Sequence, residues 1–145
     1  MHEEKPVQFE NWSISYEPGE SLEQVKGGNS NWRGPIWLPT NYLFLESLKR
    51  LQEAVGSARP ISTADGVKPI SQVIDELRSS LLNLFCLDRE TKRALHGDAS
   101  IYATDPLWRD LVLFYEHYHG DTGRGLGASH QTGWSGLAAL LLQNK

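Results

Sequence analysis

Between Trp108 and Trp134 the chain reads WRDLVLFYEHYHGDTGRGLGASHQTGW, and no other stretch limits its fold so strongly. Leu111, Val112, Leu113, Phe114 and Tyr115 form an apolar run that is expected to be buried. That run delivers Glu116 into a polar, aromatic and glycine-rich segment. Gly120, Gly123, Gly125 and Gly127 place four glycines in eight residues, so the backbone is free to take positive φ angles and to approach another group closely. Ser129, His130, Gln131 and Thr132 then offer short hydrogen-bonding groups before Gly133 and Trp134 open a final apolar helix. A carboxylate on a rigid element, beside a shaped polar loop and a Trp, suits a carbohydrate site.

The rest of the chain has to present that stretch. Thr40 or Asn41 is expected to cap a helix running to about Val55, with Tyr42, Leu45, Leu48, Leu51 and Val55 on its apolar face and Gly56 as its stop. Residues 57–69, with two prolines, read as a loop. Ser71 is expected to cap a second helix, in which Val73, Ile74, Leu77, Leu81, Leu84 and Phe85 recur at helical spacing. A short third helix fits Asp88 to Leu95. Asp105-Pro106 reads as a helix start, with Asp as N-cap and Pro in the first turn, and predicts a helix to about Tyr118. A last helix is expected from Thr132 or Gly133 to Gln143. Residues 1–31 are polar and loop-like, loosely ordered over 1–26. Phe9–Tyr16 alternates as a short strand does, and Gly27–Asn31 forms a close-approach loop. The pattern predicts a mainly α fold of helical hairpins, its loops gathered at one end.

Composition excludes several partners. The net charge of −4, with no block of Lys or Arg, argues against nucleic acid. No apolar run approaches the roughly 20 residues of a membrane-spanning helix, and MHEEKPVQFENW has no apolar signal core. The single cysteine, Cys86, excludes an internal disulfide and fits a reducing compartment, so a cytoplasmic location is expected. Cys86 lies in the apolar stripe Leu81–Leu87 and reads as a core residue. Five tryptophans cluster near the motif segments, and they direct attention to those segments.

Each motif has a plain reading beside the functional one. Glu116 could be an ordinary surface glutamate, but Phe114, Tyr115 and Tyr118 flank it. A carboxylate desolvated among aromatic rings suits acid–base chemistry. Trp32-Arg33-Gly34-Pro35-Ile36-Trp37 could be simple packing, with Arg33 over an indole, or a platform for a sugar. His117, His119, Asp121 and His130 could be argued as a metal site. In a helix, however, the two residues of His-x-His diverge, and no metal is expected. Gly123-x-Gly125-x-Gly127 lacks the following Lys-Ser/Thr of a phosphate loop.

Three segments taken together are more specific than any one. GGNSNWRGPIWLPTNYL at 27–43, DPLWRD at 105–110 and FYEHYHGDTGRGLGASHQTGW at 114–134 resemble the C-terminal part of glycoside hydrolase family 63. That family includes processing α-glucosidases and bacterial hydrolases of mannosylglycerate and glucosylglycerate. Trehalases and other families of the clan share a looser form of the pattern. The resemblance covers nearly the whole chain, least so residues 1–11. It implies part of an (α/α)6 toroid and hydrolysis of α-glycosidic bonds with inversion. By position, Glu116 matches the general base. Trp32, Arg33, Gly34, Pro35 and Trp37 match the segment lining the pocket of the non-reducing sugar. His130, Gln131, Gly133 and Trp134 match the segment that closes it.

The partner carboxyl is missing. In the family the general acid is an Asp far upstream, whereas Asp65, Asp75, Asp88, Asp98 and Asp105 here sit in loop or cap contexts that do not match it. Twelve helices of about 11 residues, with their loops, exceed this length severalfold. The resemblance therefore implies about the terminal third of a catalytic domain, whether a truncated product, an expressed domain or one piece of a split enzyme. Such a chain is expected to be inactive alone and to need no cofactor. Its partners are expected to be an α-linked sugar and either the missing N-terminal part or a second copy. The alternative is a non-catalytic carbohydrate-binding or scaffold remnant.

Overall fold

Trp37 starts the first helix, three to four residues ahead of the expected cap. In the computed structural model, which describes residues 7–9, 12–20, 32–89 and 92–143, α1 spans Leu38–Val55. Trp37 occupies the N-cap position with extended backbone, and Pro39 falls in the first turn, where a missing N–H breaks no bond. Thr40 and Asn41 lie inside the helix instead, and their side chains donate back to the Trp37 carbonyl at 3.0 and 2.9 Å. Gly56, at φ 88°, ends α1 as expected and returns its N–H to the Gln52 carbonyl. Only the first half of the apolar face is covered. Leu38, Leu45 and Leu48 are buried, whereas Leu51 and Val55 are each 45 % exposed.

Residues 57–69 form a hairpin rather than a loop. β3 (Pro60–Thr63) and β4 (Gly66–Pro69) pair antiparallel, with Ile61 opposite Lys68. The two prolines face each other at the open end, where missing donors cost the ladder least. The hairpin sets the start of α2, Ile70–Asn83, because the Ile70 N–H bonds to the Arg59 carbonyl at 2.9 Å. Ser71 is accordingly inside α2, not its cap. α2 packs along α1 and buries Ile70, Ile74 and Leu81 against it. Leu84, Leu95, Tyr118 and Leu141 complete the core.

The helix expected over Asp88–Leu95 is absent from the described part of that range. Leu87 bridges to Arg93, and only a 3₁₀ turn, Ala94–His96, forms. Cys86 lies on the surface, correcting its reading as a core residue. The largest correction falls on the helix expected from Asp105 to Tyr118. A single helical turn, α3 (Ile101–Thr104), precedes it, and turns follow through residue 110. From Leu111 onward the chain is extended, ending in β5, His117–Tyr118, which pairs with β6, Gly125–Leu126. A run of Val, Phe and Tyr fits extended backbone, and here it finds partners on both edges. Tyr118 pairs with Gly125 on one side and exchanges two backbone bonds with Ile36 on the other, at 2.7 and 2.9 Å. Nor is the run fully buried: Leu111 is exposed, and Val112 to Tyr115 are half-buried.

The expected last helix is two pieces, α4 (Thr132–Ser135) and α5 (Ala138–Gln143), separated at Gly136. Near the N-terminus β1 (Val7–Phe9) and β2 (Trp12–Ile14) make a third antiparallel pair, where a single strand was expected. The Gly27–Asn31 loop lies outside the described residues. Among those that are described, the architecture is mainly helical with three small antiparallel sheets.

Candidate functional site

The backbone exchange between Ile36 and Tyr118 sets Trp37 beside His117, and the site grows from that contact. Trp37 is 5 % exposed and stacks on both Trp32 (centroids 4.3 Å) and His117 (4.5 Å), each at 16° between planes. Trp134 leans on it at 5.5 Å and 55°. Trp32, Trp37, Pro39, Thr40, Trp134 and Leu137 enclose most of a cleft of about 360 Å³. Three indoles from two distant segments thus make an open aromatic surface, with Trp32 more than half exposed on it.

Glu116 lies one residue before His117, and the Gly127 turn lies against both side chains. Its N–H donates to the Ala128 carbonyl at 2.8 Å, and its Oε2 accepts the Ala128 N–H at 3.3 Å. No Lys or Arg pairs with it among the described residues. Gly127 explains how the loop comes so near. It sits at φ 66°, and a Cβ there would stand 2.6 Å from Glu116 Oε2.

The other expected site residues are placed differently. Arg33 is not among the residues lining the cleft and pairs with Glu17 at 2.8 Å. Gly34 lies against the Glu17 backbone, and Pro35 is buried. His130 is exposed, and its backbone bridges to Phe114. Gln131 donates its N–H to the Phe114 carbonyl at 2.8 Å and accepts those of Trp134 and Ser135, so it orients α4 and with it Trp134. Among the described residues no group of three or more His, Cys, Asp or Glu is arranged to hold a metal. His119 instead accepts the N–H groups of Asp121 and Thr122, at 3.2 and 3.4 Å, as part of its turn.

Two features were missed by sequence reasoning. The first is His117 as a packing imidazole. It is 4 % exposed, and neither ring nitrogen has a partner among the described residues. Burial holds it below the ordinary histidine range, and the carboxylates of Glu116 and Glu20 pull it only part of the way back. It is a neutral ring at pH 7, suited to lie flat on Trp37. The second is the segment Tyr16–Glu20, which crosses the site loops. Neither had a local signal, because both depend on pairing partners about a hundred residues away. Tyr118, by contrast, belongs to the core, and burial pushes its phenol up to about 12. A further cleft of about 250 Å³, lined by His96, Tyr102 and their neighbours, shares no residue with the tryptophan cleft.

Comparison with known proteins gives this arrangement a context. An uncharacterized protein of Saccharomyces cerevisiae is 43 % identical over 95 % of this chain, which matches 14 % of that protein. The mannosyl-oligosaccharide glucosidase of the same yeast is 28 % identical over 77 % of the chain, and that of Arabidopsis thaliana 32 % over 77 %. The chain is a distant homologue of glucosidases. It spans only 10 to 14 % of the length of these relatives. No family model and no solved structure matches it.

Proposed function

We propose that this chain is the C-terminal portion of an (α/α)6 catalytic domain of glycoside hydrolase family 63, an inverting α-glycosidase. In this reading Glu116 is the general base and the tryptophan cleft is half of the sugar pocket. The observation that carries it is the placement of Glu116: a carboxylate with no cationic partner among the described residues, against the Gly127 turn that also meets His117, the ring stacked on Trp37. Indole faces suit the apolar faces of a pyranose. Glu116 Oε2 is occupied by the Ala128 amide, which leaves Oε1 to take a proton from water as the water attacks the anomeric carbon. An inverting pair needs its second carboxyl about 6.5–9.5 Å away, and that acid belongs to the upstream part of the protein. Substrates are α-glucosides or glycosylglycerates of the mannosyl or glucosyl type.

The purified 145-residue chain should therefore hydrolyse no α-glucoside, because no segment of it resembles the one that carries the general acid. In a protein completed by the upstream part, Glu116→Gln should lower turnover by about 10²- to 10⁴-fold. Sugar affinity should stay nearly unchanged. Intact turnover in that variant would remove Glu116 from the reaction. Sugar binding with no turnover in the completed protein would leave the non-catalytic carbohydrate-binding reading in its place.

A further inference from the structure

The segment Tyr16–Glu20 lies across the site as a strap fastened at several points. Tyr16 donates its hydroxyl to Asp121 Oδ1 at 3.0 Å, and Glu17 pairs with Arg33 at 2.8 Å. The Pro18 carbonyl accepts the Gly120 N–H at 2.8 Å. Two glycines make room for it. A Cβ on Gly34 would strike the Glu17 backbone, and one on Gly120 would strike the Tyr16 hydroxyl and the Gly34 carbonyl. The strap is therefore held in place as far as Glu20, where the described part of this segment stops. There Glu20 Oε1 accepts the N–H of Gly127 at 3.2 Å. The next N–H along, that of Ala128, is the one that Glu116 Oε2 accepts at 3.3 Å. Two carboxylates from distant parts of the chain thus hold successive amides of one turn.

We propose that Glu20 is a positioning residue for Glu116. It anchors the Gly127–Ala128 turn, and the anchored turn holds the Glu116 carboxylate in one orientation. Gly127 has wide conformational freedom, so its backbone keeps the observed φ of 66° only while neighbouring contacts define it. The acceptor on Glu20 is one of those contacts, and the strap presents it already in place. The functional meaning rests on reading Glu116 as the base, but the geometric coupling does not.

The test uses Glu20→Ala and Glu20→Gln in the 145-residue chain, with amide hydrogen exchange followed by NMR. Glu20 is exposed, so neither change removes core packing. Glu20→Ala should speed exchange at both Gly127 and Ala128 by about fivefold, the change expected for one net hydrogen bond. Glu20→Gln keeps an acceptor oxygen and should restore both rates to near wild type, while the amide of Leu45 stays unmoved throughout. An unchanged Ala128 rate in Glu20→Ala, or a failure of Gln to restore it, overturns the proposal. In the completed enzyme, Glu20→Ala should lower kcat by a similar factor at unchanged KM, with rescue by Gln. Should the exchange results hold while Glu116→Gln keeps full turnover, the coupling stands and the reading of Glu116 as base falls.

Discussion

The α1–α2 pair and the segment 111–134 are held in place by different means. The helices make their own backbone bonds, and their pairing needs only that Leu38, Leu45 and Leu48 meet Ile70, Ile74 and Leu81. The site segment folds back on itself and is held by backbone pairing between its two arms and with Ile36. Phe114 pairs with His130, Glu116 with Ala128, and Tyr118 with both Gly125 and Ile36. Its conformation is a consequence of what lies at its edges. The scaffold is therefore a matter of apolar area, and the site is a matter of backbone registration.

The sharpest test of that contrast is Leu45→Ala. Leu45 is fully buried in the middle of the helix pair, and truncation should cost about 2–5 kcal/mol in chemical denaturation. Glu116→Gln, which touches no core residue, should leave the same denaturation curve almost unmoved. If Leu45→Ala proved mild, the α1–α2 contact would not be the main source of stability.

What the sequence made legible divides along the same line. Helical spacing announced α1 and α2, and Gly56 marked the end of α1. Their starts were misplaced because Thr40, Asn41 and Ser71 look like caps, whereas Pro39 and the Pro60–Pro69 hairpin decide the boundaries. For Leu111–Tyr118 the composition alone did not separate helix from strand. The edges offered by Ile36, Leu126 and His130 decided it, and edge pairing is not written locally. The tryptophans were singled out on composition, and Trp32, Trp37 and Trp134 do meet in one cleft. Arg33 was singled out beside them, yet its partner is Glu17, on a strap that carried no signal.

Gly127→Ala probes the registration side directly. A side chain at φ 66° costs about 1–2 kcal/mol, and here its Cβ would also press on Glu116 Oε2. We expect a lower unfolding midpoint together with a displaced Glu116 resonance. Gly56→Ala provides the matched control, because φ is also positive there but nothing lies within 4 Å of the new carbon. It should lower stability without touching the site. Equal effects of the two on Glu116 would break the comparison.

A smaller effect is expected with pH. Burial lowers both His117 and His96, His96 with help from the Arg93 charge, while Glu116 and Glu20 act on His117 in the opposite direction. Folded imidazoles with values below their ordinary 6.5 give stability that is complete above that pH. It is lost as the pH falls through the lowered folded values. Urea midpoints should therefore be flat from about pH 8 to 7 and decline below about pH 6.5. His117→Phe, which keeps a ring against Trp37, should remove part of that decline and leave the part due to His96. A decline unaffected by the substitution would mean that His117 is not the titrating group.

The smallest effect should come from the uncovered end of α1. Leu51 and Val55 were expected on the buried face, yet they stand exposed together with Leu43 and Phe44 from the helix flank. In the chain as a monomer, a residue already in water has little apolar area left to lose. Leu51→Gln should then shift stability by no more than about 0.5 kcal/mol, against the several expected at Leu45 only two turns earlier on the same helix. The apolar surface gathered there is also the place where a second copy would sit, since exposed apolar patches favour association. Sedimentation of the wild-type chain and of Leu51→Gln separates the two conditions. A concentration-dependent dimer that weakens on substitution would show the face to be covered by a copy of itself. A monomer with unchanged stability would leave Leu51 as solvent-facing surface. A loss near that of Leu45→Ala, with no change in association, would contradict the burial boundary drawn along α1.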